Sequence, residues 1–291
     1  MLLMFERIKQ YYSLTKPGVL YGNALTAAAG FLFASKSNVN WGLFLYMIFG
    51  TSLVIGSACI INNYLDQDID KVMARTKKRA LVAGVISPSR ALLFGIVTGL
   101  LGIIILTVKA NGLVVLSGIF GFIVYVFLYG ALSKRRSVHG TLVGSISGAM
   151  PIFAGYVAAS SQIDSGAVLV FLVLFFWQIP EFYSISIYRQ EEYAAANVPV
   201  ISVIKGIPHT VVAIFIYTLL FIASTTALFV FEYTSVSYLI IISLLNMWWL
   251  WLSIKGLVSK NQAKWSRQMF RFSLIILLAF SFLISVDAYL P

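Results

Sequence analysis

The segment Asn62-Asn63-Tyr64-Leu65-Asp66-Gln67-Asp68-Ile69-Asp70 places three carboxylates and the amides of Asn62 and Asn63 at the end of a long apolar run. If that run stays helical through Asp70, each residue turns the chain by about 100°. With Asn62 at zero, Asp66 falls at about 40°, Asp70 at about 80° and Asn63 at about 100°, whereas Asp68 falls at about 240°. Asn62, Asn63, Asp66 and Asp70 therefore share a face from which Asp68 turns away. Carboxylate and carboxamide oxygens on one face are hard ligands suited to Mg²⁺, which keeps several waters and shares its shell with phosphate oxygens. An anionic diphosphate cannot approach such acids unless a metal neutralises them. The competing reading is a solvated helix end. The polar face continues back to Asn62, within reach of the membrane, where polar groups are expensive and usually functional.

Lys71, Arg75, Lys77, Lys78 and Arg79 follow directly. Arginine has the fork geometry for phosphate oxygens, so Arg75 and Arg79 are candidates to hold a diphosphate against the metal. Lys134, Arg135 and Arg136, on the next loop of the same side, can close the site from another direction; topology alone also explains each of these cations. A second acidic region runs Trp177-Gln178-Ile179-Pro180-Glu181-Phe182-Tyr183, then Tyr188-Arg189-Gln190-Glu191-Glu192-Tyr193. Pro180 removes a backbone hydrogen bond and is expected to kink its helix, which a membrane tolerates beside a cavity. Glu181 then lies in the membrane as an ionisable group, a functional candidate by default. Glu191 and Glu192 lie nearer the surface, where a solvated pair is the plain alternative. His139 and His209 are isolated near helix starts, and no Ser-His-Asp set, P-loop or CxxC motif occurs.

The elements that must position these groups follow from composition. Of the 291 residues, 60% are hydrophobic and only 11% charged, and the mean hydropathy is +0.91; this describes an all-α polytopic membrane protein, not a soluble globule. Nine apolar spans are predicted at about 17 to 35, 42 to 64, 88 to 108, 112 to 132, 140 to 160, 165 to 188, 209 to 231, 236 to 256 and 270 to 289. Their length and lack of alternation exclude β-barrel strands. The whole chain, 1 to 291, reads as one domain, and the first span reads as a retained helix, not a cleaved signal peptide.

With nine spans, one side holds nearly all of the 21 Lys and Arg residues, leaving only Lys36 and Lys109 for the other. The positive-inside rule makes the first side cytoplasmic, with the N-terminus inside and Asp287 to Pro291 outside. The net charge of +11 is then a topology signal and an attraction to anionic lipid, with no soluble basic domain to bind nucleic acid. A single cysteine, Cys59, excludes an intrachain disulfide. Acids at the cytoplasmic ends of spans two and six hint at two similar halves.

The Asn62-x3-Asp66-x3-Asp70 motif, the following Arg75-Thr76-x2-Arg79 and the later acidic motif resemble the intramembrane prenyltransferases of the UbiA-type superfamily. Within it, Lys134-Arg135-Arg136-Ser137-Val138-x-Gly140-Thr141-Leu142-Val143-Gly144-Ser145, Trp177-Gln178-Ile179-Pro180, Tyr193-x-Ala195-Ala196-Asn197-Val198-Pro199-Val200 and Ser285-Val286-Asp287 look like the heme O synthase family. The likeness runs from about Tyr12 to Pro291. It implies about nine helices around a central cavity open to the cytoplasm and the lipid, in a bacterial inner membrane. It implies that farnesyl diphosphate binds through Mg²⁺ to Asn62, Asn63, Asp66 and Asp70 on one side and Glu191 and Glu192 on the other. Arg75, Arg79, Lys134, Arg135 and Arg189 would take phosphate charge, and Asp66, Asp70, Glu181 and Glu192 would serve catalysis. The implied reaction joins the farnesyl group to a vinyl group of heme b, with addition of water, for heme-copper oxidase maturation. Other heme-biosynthesis or oxidase-assembly proteins are the implied protein partners. Two positions depart from the pattern: Glu181 stands where heme O synthases usually carry histidine, and Glu192 where aspartate is common. A prenyltransferase for a quinone precursor and a cation-coupled transporter remain as alternatives, the latter expecting acids near the bilayer midplane.

Overall fold

The computed structural model describes residues 2–291, and among them nine helices are long and apolar enough to cross a membrane. A short helix α1 (Leu2–Leu14) leads into α2 (Pro17–Ser35) and α3 (Trp41–Leu65). One further turn, α4 (Gln67–Val72), precedes α5 (Pro88–Lys109) and α6 (Gly112–Arg136). Then come α7 (Gly140–Ser160), α8 (Ser165–Tyr188), the short α9 (Gln190–Ala195) and α10 (Ile201–Ile204), and α11 (Gly206–Val230), α12 (Val236–Val258) and α13 (Gln262–Val286).

In lipid every backbone polar group must be satisfied internally, which helices achieve except at their ends. The sequence supplies caps there. Asn40, Asn111, Asp164, Ser235 and Asn261 each accept a backbone N–H of the helix they start. Asp287 reaches back across the bundle, accepting from the Ser235 N–H at 3.1 Å and its hydroxyl at 2.7 Å. The Ser285-Val286-Asp287 motif thus ties the last helix to the start of α12.

Without a hydrophobic drive between helices, close approach and interhelical hydrogen bonds hold the bundle. Helices α2 and α7 meet backbone to backbone at two glycines: a Cβ on Gly30 would lie 2.1 Å from the Ile152 carbonyl oxygen, and one on Gly155 would lie 1.9 Å from that of Ala27. Trp177 donates its indole N–H to the Ser273 carbonyl and Trp265 to that of Leu252, both at 2.8 Å. Large apolar side chains such as Leu93, Leu100, Ile104 and Leu244 stay exposed on the outer wall, the face expected to meet lipid acyl chains.

The observed spans match the predicted ones except at the last, which starts at Gln262 because Asn261 caps a helix that extends beyond the apolar stretch. Inside α6, residues Val124–Ser133 form a π-helix, and α8 continues through Pro180. The two long connections, 66–87 and 189–205, both lie at the end of the bundle where α3, α6 and α8 finish. There Ile69, Met73 and Val198 pack into a small cluster with Tyr193, Ala196 and Val200 against it, joining the two connections.

Candidate active site

A cavity of about 680 Å³ opens at that end. Its mouth is lined by Lys16, Asn62, Asp66, Asp70, Arg75, Arg79, Lys134 and Arg189, and its depth by apolar side chains such as Val54, Phe122 and Leu277. An ionic head and an apolar tail fit such a gradient.

Helix α3 ends one residue before Asp66, where the backbone departs from helical geometry (φ −87°, ψ 7°). The phase survives the break: the Asp66 N–H donates to the Asn62 carbonyl at 2.9 Å and the Asp70 N–H to that of Asp66 at 2.8 Å. Asn62, Asp66 and Asp70 therefore line the cavity while Asp68 does not. Asp68 pairs bidentately with Arg135 at 2.6 and 2.7 Å, and this hydrogen bonding holds its carboxyl down to about 2. Arg135 also donates to the Leu65 carbonyl at 2.6 Å, satisfying the end of α3.

Asn62, Asp66 and Asp70 are each met by a cation. Lys134 Nζ lies 2.5 Å from Asp66 Oδ2, Arg79 Nη1 lies 2.6 Å from Asp70 Oδ2, and Lys16 Nζ donates to Asn62 Oδ1 at 2.6 Å. Asn63 stands behind them, accepting from Arg79 Nη1 at 3.1 Å and donating to the Leu14 carbonyl at 2.8 Å, so it orients the arginine and does not line the cavity. Both carboxylates are buried, Asp66 at 1% and Asp70 at 4% exposure, so neither relies on water. Buried charges of this kind persist only with close partners.

Two polar atoms are nevertheless orphaned: Asp66 Oδ1, with Arg135 no nearer than 3.8 Å, and Asn62 Nδ2. An unpartnered, buried carboxylate oxygen beside a second carboxylate and a carboxamide oxygen is a donor set that fits a hard divalent cation. Among the described residues no three of His, Cys, Asp and Glu converge as a metal site by themselves. Other ligands, phosphate oxygens or water, would have to complete the shell.

The second acidic region is arranged differently. Glu181 lines the cavity from α8, as does Arg189, but Glu191 and Glu192 do not. Arg189 instead holds Glu192 at 3.0 Å. Gln178, which also lines the cavity, donates to the Leu174 carbonyl at 2.9 Å and fills the space left by Gly148, where a Cβ would lie 1.9 Å from its Oε1. Arg75 reaches the mouth from an exposed turn.

Lys16 and a pair of tyrosines are the site residues that motif reasoning passed over. Lys16 has a left-handed backbone (φ 53°, ψ 71°), which brings its side chain inward just ahead of Pro17, and burial lowers its ammonium to about 8. A lysine directly before the first span and its proline was the available signal. Tyr125 and Tyr129 line the cavity with ring centroids 5.8 Å apart. They lie in the π-helical stretch Val124–Ser133; such stretches recur at functional sites. Apolar periodicity carries no sign of it.

The UbiA prenyltransferase family model matches residues 23–275. The chain is 43% identical over 280 residues to a protoheme IX farnesyltransferase of Yersinia pseudotuberculosis, covering 96% of this chain and 95% of that protein. It is 42% identical over 284 residues to one of Photorhabdus laumondii, covering 98% and 97%. Among solved structures, a digeranylgeranylglyceryl phosphate synthase superposes with a TM-score of 0.81 at 17% identity, covering 97% of this chain and 99% of that one. A UbiA homolog from Archaeoglobus fulgidus bound to GPP and Mg²⁺ superposes with a TM-score of 0.70 at 15% identity, covering 94% and 99%.

Proposed function

Because the chain belongs to the UbiA prenyltransferase family, and within it groups with the protoheme IX farnesyltransferases, we propose that it transfers the farnesyl group of farnesyl diphosphate to a vinyl group of heme b. The observation that carries this reading is the set of paired acids and cations at the polar mouth of an apolar cavity.

Asn62, Asp66 and Asp70 are the residues that would hold Mg²⁺. When bound with the substrate, Mg²⁺ supplies charge neutralisation that lets a diphosphate approach two carboxylates and leave as a stable anion. The protein's own part is electrostatic. Lys16, Arg79 and Lys134, now spent on Asn62, Asp70 and Asp66, turn to phosphate oxygens, with Arg75 and Arg189 closing from the exposed side. Asn63 holds Arg79 in place, and Arg135 fixes the α3 to α4 break by its bonds to Asp68 and the Leu65 carbonyl. Glu191 and Glu192, which do not line the cavity as it stands, would join the diphosphate site as its second half once Arg189 engages phosphate and releases Glu192.

These donors stabilise charge where it develops, on the oxygen of the breaking C–O bond. The electron pair leaves with diphosphate, the allylic cation is attacked by the vinyl carbon pair of heme, and water adds to the resulting cation with loss of one proton. Glu181, the acid nearest the apolar part of the cavity, takes that proton. Tyr125 and Tyr129 present aromatic faces to the cation and exclude water from it until the new bond forms. The distribution of basic residues supports a mouth on the cytoplasmic side of a bacterial inner membrane, and the farnesylated product is destined for heme-copper oxidases.

Purified protein incubated with farnesyl diphosphate, Mg²⁺ and either heme b or a hydroxybenzoate tests the reading by mass analysis of the products. Heme that has gained a farnesyl group and one water is expected; a farnesylated hydroxybenzoate with unchanged heme would overturn it. A Glu181→His variant run beside it is expected to retain the product, since imidazole can take the same proton.

A further inference from the structure

Deep in the cavity, the wall formed by α6 and α7 is thin. On the membrane-facing wall of α6, α7 and α8 lies a second, apolar groove of about 360 Å³, lined by Leu116, Phe120, Phe153, Ile163 and Phe171 among others. Leu116 is 64% exposed and Ile163 57%, so the groove opens toward the lipid. Ser117 and Met150 are the two residues that line both the groove and the central cavity.

Depth along the bundle locates this wall relative to the mouth. Asp66 and Val54 are twelve residues apart on α3 and the turn after it, about 18 Å of rise at 1.5 Å per residue. A Cβ on Gly118 would lie 3.9 Å from Val54, and one on Gly121 would lie 3.2 Å from the Met150 Cβ, so Met150 stands about one turn mouthward of Val54. A prenyl chain anchored by its diphosphate at Asp66 and Asp70 runs down this axis and meets Met150 near its last isoprene unit. Gly118 and Gly121 keep the α6 side clear at this level, leaving the Met150 side chain as the bulk between the channel and the groove, while the cavity itself runs on to Thr51 and Ala154.

We propose that Met150, with Ser117, is the specificity-determining side wall of the prenyl channel, and that the aromatic groove beyond it is the space into which a longer chain bends when the wall is removed. Methionine suits the role, being apolar, unbranched and able to shift as a chain end presses on it. This rests on the farnesyl-transfer reading for the choice of substrate, and the wall itself on the two cavities.

The test offers geranyl, farnesyl and geranylgeranyl diphosphates in one mixture with heme b and Mg²⁺ to the wild type, Met150→Ala and Met150→Phe. Products are resolved by mass, and binding of each diphosphate with Mg²⁺ is read separately by thermal shift. Met150→Ala is expected to raise the twenty-carbon to fifteen-carbon ratio at least about tenfold, in binding and in kcat/KM, the discrimination typical of one or two methylenes in an apolar pocket. Met150→Phe is expected to raise the ten-carbon to fifteen-carbon ratio, and it decides the matter alone if the alanine variant fails to fold. Ratios within about twofold of wild type in variants that still bind farnesyl diphosphate overturn the assignment. A wild type that binds the diphosphates but prenylates no heme overturns the acceptor reading instead, while the binding ratios still judge Met150.

Discussion

At the scale of single residues, the site is a set of charges that are satisfied in pairs and leave one oxygen over. Lys134 and Asp66 make the point most sharply. Asp66 is 1% exposed, so removing its lysine strands a buried carboxylate, which typically costs about 3 kcal/mol or more. Lys134→Met is therefore expected to lower the unfolding midpoint in detergent, and adding Asp66→Asn to it should recover most of that stability. Turnover should not recover: Asp66→Asn alone is expected to lower kcat about a hundredfold or more, because the metal-side oxygens act on charge that appears only in the transition state. A double variant that regained activity would contradict the assignment. Lys16→Met should behave differently, raising KM for the diphosphate with a smaller change in stability, since its neutral partner Asn62 tolerates the loss.

At the scale of elements, the bundle was legible in the sequence wherever length and composition decide, and illegible where two helices decide together. The spans stand out because twenty apolar residues have few other uses, and Asn62, Asp66 and Asp70 share a face because helical phase carries across the break at Asp66. The pairing of Asp68 with Arg135 and of Arg189 with Glu192 depends on how α6 approaches α4 and how α9 folds against α8, which no local spacing records. For the same reason Arg135, Glu191 and Glu192 read as cavity residues in the sequence but do not line it. The glycines carry a prediction of their own. Gly155→Val drives its side chain into the Ala27 carbonyl, a backbone atom that cannot step aside. It should destabilise the α2–α7 seam by about 3 kcal/mol, toward the upper end of overpacking penalties. Gly22→Ala, with nothing within 4 Å of its new Cβ, should leave the thermal midpoint unchanged.

At the scale of the whole molecule, the nine spans among the described residues gather both long acidic connections at one end, which the positive-inside rule predicts to face the cytoplasm. Cys59 is the one cysteine of the chain and is buried, so engineered cysteines report topology against a silent background. Lys77→Cys is expected to react with an impermeant maleimide from the cytoplasmic face and Gln162→Cys from the opposite face; reversed labelling would overturn the orientation. The gradient from an ionic mouth to an apolar depth fits a substrate whose lipid-soluble tail stays in membrane-like surroundings while its charged head remains at the mouth. The proposed function requires that the buried acids at this mouth hold the diphosphate. Calorimetric titration of farnesyl diphosphate into the wild type and Asp66→Asn, with and without Mg²⁺, tests it most directly. Tight binding by the wild type only when Mg²⁺ is present, weakened at least about tenfold by Asp66→Asn, is the expected result; binding that ignores both the metal and the substitution would contradict the account.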